Sequence, residues 1–237
     1  MQVHASSEFS PAIIADSESL RHLWQHVEAF TPSTLATAKC ADDIVRKFNS
    51  LESLLQFENS ARTAIQSLEI EGRSREPERT IEITIGGRFT HKVAVSIRGE
   101  EMDVSALKTK ISDTIFGMKA WYSVVAKVDL FYVWTVIGFL FITTIAAMTP
   151  VEDPRKPGRS FQDALRIVLQ LTGSFVAIGF VVAGAGKLRS RFFPMISFAT
   201  AQGIKRHQFD EQVRWTVIVS FLVGLAGAAV YGVIGGA

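Results

Sequence analysis

The sequence predicts an α+β soluble N-terminal domain with an antiparallel sheet, followed by an α-helical membrane domain of three transmembrane helices. Apolar and polar residues alternate through much of residues 68–98, which is typical of strands with one wet face. Three later runs, at 130–149, 167–186 and 215–237, contain no Asp, Glu, Lys, Arg or His and are each at least 20 residues long. At about 1.5 Å per residue, a helix of that length matches a bilayer core of about 30 Å.

The charges divide the chain in two. Residues 1–128 carry 15 Lys and Arg against 17 Asp and Glu, a net charge of −2, and residues 129–237 carry 10 against 6, a net charge of +4. Neither part is basic enough to predict nucleic-acid binding from charge alone. Cys40 is the single cysteine, so no intrachain disulfide is expected. Residues 1–30 lack the features of a signal peptide, so the N-terminal domain is expected to stay on the side where it is made.

These observations divide the chain into segments. The predicted segments are a disordered lead-in (1–15), a cytoplasmic α+β sensing domain (16–128) and a transmembrane domain (129–237), with spans at about 130–149, 165–186 and 215–236 and an interfacial elbow at 187–214.

The first predicted helix runs from Ser17 to Phe30, where apolar residues recur at helical spacing. Asp16 or Ser17 is available as its N-cap. Thr31-Pro32 ends it, because the residue before a proline is driven out of the α region.

The strongest strand pattern follows from residue 68 onward. Gly86-Gly87 stands where a hairpin turn is needed, since glycine adopts positive φ angles without strain. The polar stretch 71–79 is expected to be an exposed loop between strands. The inward-facing positions of the predicted sheet are Leu68, Ile70, Ile81, Ile83, Ile85, Val93, Val95 and Ile97.

A long helix is predicted to begin at Asp103 and to present one apolar stripe as far as Tyr122. Lys127, Val128 and Asp129 contain no Gly or Pro, so this helix either continues into the first span as a rigid lever or breaks at these three residues.

Charges beside the three spans predict their orientation. Nine Lys and Arg flank the first span on its N-terminal side or lie between the second and third spans, against three in the loop 150–163. Positive charge favours the cytoplasmic side, so a multi-pass protein of the bacterial inner membrane with a cytoplasmic N-terminal domain is expected. The elbow mixes cations with phenylalanines, and it either couples the domain to the spans or anchors it to anionic lipid.

Two patterns within the spans predict how they are used. Gly224, Ala228, Gly232 and Gly236 lie four residues apart, a stripe that lets helices pack closely within one subunit or between subunits. Polar residues share one face of the second span, which favours protein or water over lipid. The candidate pore-lining residues are Arg166, Gln170 and Ser174, although Arg166 could also snorkel and Gln170 could bond a neighbouring helix.

Positive charge around the hairpin predicts a ligand site, because Arg and Lys hold phosphates. Interspersed glutamates weaken that prediction, and a solvated sheet face is the alternative. The candidate ligand-binding residues are Arg73, Arg75, Arg79, Arg88, Lys92 and Arg98.

Catalytic and metal-binding patterns are missing from the sequence: no P-loop, HExxH, GxSxG, CxxC pair or dinucleotide fingerprint occurs. His22 and His26 are spaced for one metal but have no matching ligands, and Asp42-Asp43 is more typical of a turn than of a catalytic pair. No enzymatic activity, no cofactor and no metal are therefore expected.

The domain order and the elbow FFPMISFATAQGIKRH before the last span resemble the small membrane effectors of bacterial antiphage defence, of the Hailong type. The resemblance implies a ligand-gated, homo-oligomeric channel in the lipid bilayer. It also implies a nucleotidyltransferase, or its nucleotide or oligonucleotide product, as a partner of the N-terminal domain. The alternatives are a non-conducting membrane anchor that recruits a partner protein, and a subunit of a larger transporter. Ion selectivity, subunit number and the gating ligand are not indicated by the residues.

Overall fold

The computed structural model of the protein describes residues 1–75, 78–87, 92–129 and 161–235, with 132, 134–136, 138–140 and 143. Some side chains within 161–235 lie outside this description. The chain separates into two compact units, one of Met1–Ala126 with Phe192–Ala237 and one of Lys127–Arg191.

The first unit is built on a six-stranded antiparallel sheet in the order β1-β7-β6-β5-β3-β4. A separate two-stranded parallel pair joins β2 to β8. The strands are β1 (Gln2–Phe9), β2 (Ile13–Asp16), β3 (Ser33–Cys40), β4 (Val45–Phe48), β5 (Ile65–Ser74), β6 (Arg79–Ile85), β7 (Val93–Glu100) and β8 (Ile196–Ala199).

Two of the helices cover one face of the sheet and form the core with it. The helices in the described part of the chain are α1 (Ser17–Phe30), α2 (Leu51–Gln56), α3 (Glu101–Gly117), α4 (Ser123–Lys127), α5 (Phe161–Phe192) and α6 (Gln202–Gly235). In α1 the buried residues fall on one side, and Asp16 caps the helix by accepting from the amide of Ser19 at 2.8 Å. In α3 the buried residues are Val104, Leu107, Ile111 and Ile115.

The predicted alternation of the sheet is confirmed. Every inward position predicted between residues 68 and 97 is buried. Antiparallel register places these side chains opposite one another, for example Ile70 opposite Ile83 and Ile83 opposite Val95. Gly86 has a φ of 82° at the β6–β7 turn, as the hairpin prediction requires. Much of the predicted loop 71–79 belongs instead to the paired ends of β5 and β6.

The predicted disordered lead-in is not observed. Residues 2–9 form β1 along the edge of the large sheet, and β2 begins at Ile13. The lead-in was predicted because its residues are small and polar. β1 is nevertheless ordered by full pairing with β7 and by contacts of Val3, Ala5 and Phe9 with the core.

The predicted long helix ends earlier than either alternative required. α3 stops at Gly117, and α4 begins only at Ser123. Between them, the amide of Ala120 donates to the carbonyl of Ala12 at 2.8 Å, and the amide of Ile14 donates to the carbonyl of Met118 at 2.9 Å. These long-range backbone bonds replace helical ones, so residues after 117 are tied to β2 rather than forming a lever.

The predicted interfacial elbow at 187–214 has different boundaries and a different structure. α5 continues to Phe192, β8 follows at Ile196, and α6 begins at Gln202. β8 pairs in parallel with β2, and Phe198 belongs to the main core. The aromatic residues predicted for a membrane interface therefore include one that packs inside the domain, because burial against the sheet also removes apolar surface from water.

Among the helices in the described part of the chain, none combines the length and the apolarity that crossing a bilayer requires. The predicted membrane domain of three transmembrane helices is therefore wrong. The multi-pass location in the bacterial inner membrane and the classification as a membrane protein and ion channel are wrong with it. The first uncharged run, 130–149, lies largely outside the described residues. The prediction rested on the length and the lack of charge of the three runs alone.

Candidate ligand-binding face of the sheet

The face of the large sheet opposite α1 and α3 carries polar side chains that are exposed or half-buried. We call it the open face. The alternation of each strand places its polar residues here, because successive side chains point to opposite sides. Its charged and hydrogen-bonding residues on the three central strands are Ser67, Glu69, Glu71, Arg73, Thr80, Glu82, Thr84, Ser96, Arg98 and Glu100.

One cross-strand row of the open face is basic. Register places Arg73 of β5 opposite Thr80 of β6, Thr80 opposite Arg98 of β7, and Arg98 opposite His4 of β1. Arg73 and Arg98 are thus two strands apart, or about 9.6 Å across the sheet. Arg73 is 76% exposed, and its Nη2 lies 3.3 Å from Oε2 of Glu71. This row presents guanidinium groups that can hold an anion.

The adjoining row, two residues along the strands and about 7 Å away, is acidic. Glu71 of β5 lies opposite Glu82 of β6, and Glu82 lies opposite Ser96 of β7. Glu69 lies two residues further along β5. Partial burial, followed by the charges of Glu71 and Glu82, raises the pKa of Glu69. Three carboxyl groups are therefore held close enough to repel one another, and they attract hydrogen-bond donors.

A shallow depression of about 240 Å³ lies where the two rows meet. Its lining combines Arg73, Glu71 and Glu82 with the hydroxyl-bearing residues Thr80 and Ser96. This volume is below the roughly 300 Å³ at which pockets for drug-sized ligands begin. The depression therefore fits one end of a polar ligand, with the remainder lying along the sheet.

The structure separates the six predicted ligand-binding cations. Arg73 and Arg98 share the open face. Arg79 lies on the helix-covered side, where it pairs with Asp103 at 2.5 Å and stacks on the ring of Phe30. Lys92 pairs with Glu8 at 2.8 Å. Arg75 is exposed in the turn after β5, and Arg88 lies outside the described residues.

The weaker candidates have structural partners. His22 lies 3.9 Å from Glu18, and His26 is half-buried, with its pKa lowered by burial and by Lys110. Asp42 accepts two hydrogen bonds from Arg46, which lowers the pKa of this carboxyl to about 2. Asp43 has a φ of 59° in the β3–β4 turn. Within the described ranges, no group of three or more His, Cys, Asp or Glu residues is arranged to hold a metal ion.

The predicted pore-lining residues fall on one of the two long helices. Arg166, Gln170 and Ser174 lie in α5, but their side chains are outside the described residues. The pore that they were predicted to line depended on the membrane-spanning helices, which are corrected above.

The glycine stripe belongs to α6 and the residues that follow it. Gly224 has open space around it, and Ala228 is exposed. The burial of Gly232 is outside the described part of the chain, and so is Gly236 as a whole. Close helix packing along this stripe therefore stays a prediction.

The glutamates were predicted to weaken a phosphate site, because the order of charges along the chain does not show that Glu71 and Glu82 lie in one row beside the arginines. The alternation of polar and apolar residues was the signal that could have located this row. Every second residue of a strand lies on the same face, and paired strands align such residues into rows across the sheet. The burial of Arg214 and Asn59 was not predicted either, because nothing in their sequence surroundings indicates burial.

The chain matches no protein-family model, no curated protein and no solved structure. The open face must therefore be interpreted from its own chemistry.

Proposed function

We propose that this chain is a ligand-sensing protein whose open face binds a nucleotide. Arg73 and Arg98 hold the phosphate, and Glu71 and Glu82 accept hydrogen bonds from the exocyclic amino group of the base. The observation that carries the proposal is the register of the sheet, which sets a basic row beside an acidic row. A ligand with an anionic group at one end and N–H donors at the other is complementary to that pair of rows.

The acidic row limits the class of ligand. Glu69, Glu71 and Glu82 repel additional phosphates, so a mononucleotide or a short product fits better than a long oligonucleotide. Carboxylates accept from amino groups, which favours guanine or adenine over uracil. We also propose a nucleotidyltransferase as the source of the ligand and a role in antiphage defence. Both follow from the resemblance to antiphage effectors described above.

The same compact unit contains the open face, β8 and α6. β8 contacts the core through Phe198, and the amide nitrogen of Asn59, in the segment before β5, donates to the Phe198 carbonyl at 2.8 Å. A ligand that orders β5 to β7 therefore acts on a segment tied to the start of α6. We propose α6 as the element through which binding is transmitted.

Equilibrium dialysis of the full chain against guanosine, adenosine and uridine monophosphates tests the proposal. Arg98→Gln is expected to weaken all three by about tenfold or more, because it removes a charged hydrogen bond to the phosphate. Glu82→Gln is expected to weaken guanosine and adenosine monophosphates only. Arg21→Gln and Glu58→Gln, at exposed positions elsewhere, are the matched controls. No binding by the wild type, or unchanged binding by both open-face variants, would contradict the proposal.

Self-association is a second candidate function, and a different observation favours it. Beyond Arg214, α6 carries large apolar side chains that are more than half exposed. An exposed apolar surface of this extent marks an interaction surface, and we propose a second copy of the chain as its occupant. These residues are Trp215, Val217, Val219, Phe221, Leu222, Val223, Leu225 and Tyr231.

Light scattering of the purified chain measures its mass in solution and so tests self-association. The expected mass is a multiple of 26.1 kDa that falls with Phe221→Lys and is unchanged by Gln208→Lys, at an exposed polar position of the same helix. A wild-type mass of one chain at all concentrations would exclude self-association.

A further inference from the structure

Arg214 is a buried cation with most of its hydrogen-bonding capacity unused. Its side chain is 1% exposed, and its Nε donates to the carbonyl of Phe192. Both terminal nitrogens, Nη1 and Nη2, are buried without a hydrogen-bond partner. Burying a guanidinium without acceptors is costly, so such groups are nearly always paired with an anion or a set of acceptors.

The surroundings of Arg214 supply aromatic contacts and a further unpaired donor. Its guanidinium carbon lies 4.4 Å from the centroid of the Tyr122 ring and 6.0 Å from that of Phe193. The hydroxyl of Tyr122 is also buried without a partner. Cation–π contact with these two rings holds the guanidinium group in place. Neither ring accepts a hydrogen bond from Nη1 or Nη2.

Three ionisable residues of α6 contribute to the charge around Arg214. Asp210 is one helical turn before Arg214 and 6% exposed. Nε2 of His207 lies 3.4 Å from Oε2 of Glu211, while Nδ1 of His207 is buried without a partner. Burial and the charge of Arg214 lower the pKa of His207, which keeps its imidazole neutral near pH 7. Asp210 and Glu211 bring two negative charges against the single positive charge of Arg214, so an added anion must be held by directed hydrogen-bond donors and not by net charge.

We infer that Arg214 and Tyr122 form a buried site for a small oxyanion, with phosphate or carboxylate chemistry. Nη1 and Nη2 give the planar fork that such groups accept bidentately, and the Tyr122 hydroxyl adds a third donor. The site is distinct from the open face and does not depend on the function proposed for it.

Thermal unfolding of the full chain in inorganic phosphate, in acetate and in chloride at equal ionic strength tests the inference. An oxyanion that binds only the folded state raises the melting temperature with the logarithm of its concentration. The wild type is expected to respond to phosphate or acetate above its response to chloride. Tyr122→Phe is expected to need about tenfold more oxyanion for the same rise, because one donor is lost.

Tyr122→Phe keeps the ring and removes an unpaired hydroxyl, so its melting temperature without oxyanion is expected to equal or exceed that of the wild type. Arg214→Lys keeps the charge and loses the fork, and its oxyanion response is expected to disappear. Lys205→Gln, at an exposed cation of α6, controls for general salt effects, which stabilise all variants alike. An equal oxyanion response in wild type and Tyr122→Phe, or no response above chloride in the wild type, would overturn the site; if Arg214→Lys does not fold, Tyr122→Phe decides.

Discussion

Glu69 shows how a single residue reports on the open face. Its carboxyl is partly buried beside two others, and its pKa is raised by that burial and by Glu71 and Glu82. An acid whose folded pKa lies above its unfolded pKa penalises the folded state at every pH where it is ionised in both states. The penalty is absent below the unfolded pKa, where both states are protonated.

Glu69→Gln is therefore expected to stabilise the protein at pH 7. The gain is at most about 1 kcal/mol because solvent screens a half-exposed group. It should shrink as the pH falls through the raised folded pKa towards the ordinary value for glutamate. Chemical denaturation at pH 7 and at pH 4 measures both free energies of unfolding. A destabilised variant at pH 7, or a gain that grows on acidification, would show that the three carboxyl groups do not repel.

Gly72 determines how closely one element approaches another. A Cβ added at this position of β5 would lie 2.7 Å from Val27 and 2.8 Å from Ile81, and closer still to the hydroxyl of Thr31. The glycine thus lets the C-terminal turn of α1 rest directly on the sheet. A side chain there must displace either the helix or a neighbouring strand.

Gly72→Ala is accordingly expected to lower the free energy of unfolding by about 1–3 kcal/mol through overpacking. Gly117→Ala, where nothing lies within 4 Å of the added Cβ, is the matched control and should be neutral or stabilising. Urea denaturation of both variants gives the comparison. Equal stability of Gly72→Ala and wild type would mean that α1 shifts without cost.

A buried amide, that of Asn59, strengthens the attachment of β8, which also pairs with β2. Asn59 donates from Nδ2 to the carbonyl of Phe198 and to Oγ1 of Thr200, and its Oδ1 accepts from the amide of Ile65 at 3.0 Å. Asn59 thus joins the start of β5 to the segment that leads into α6. No local sequence pattern identifies the bonds to Phe198 and Thr200, because these partners lie about 140 residues from Asn59.

Asn59→Ala should cost about 1–3 kcal/mol, since buried backbone groups lose their partners. It should also loosen β8 selectively, so residues 196–203 become the first site of limited proteolysis. Asn59→Asp retains the acceptor for Ile65 but loses both donors, and it should release β8 to a similar extent. Cleavage that begins elsewhere in both variants would show that another contact holds β8 in place.

At the scale of the whole molecule, the central strands of the sheet were predicted correctly from the sequence, whereas the elements around them were not. Alternation along β5, β6 and β7 was sufficient because one face is dry and the other wet. The edge strand β1 and the pair β2–β8 were missed, since both depend on partners far along the chain. The membrane prediction failed because it rested on uncharged runs alone, and part of those runs became a helix that begins within the first unit.

The candidate site was predicted only in part for the same reason. Arg73 and Arg98 are 25 residues apart in sequence, and only the register of three strands brings them into one row. Arg79, which seemed equivalent in sequence, faces the opposite side of the sheet because alternation in β6 places it there. Residue type alone could not separate these three arginines, whereas strand register does.

An amide-resolved NMR titration of the full chain with guanosine monophosphate tests whether the open face binds a nucleotide. The largest chemical-shift changes are expected in β5, β6 and β7 around Glu71, Thr80, Glu82 and Arg98, with smaller changes reaching β8 and the first turn of α6. Changes concentrated instead in the groove between α1 and α3, around His26 and Lys110, would contradict binding at the open face. So would a spectrum that the nucleotide leaves unchanged.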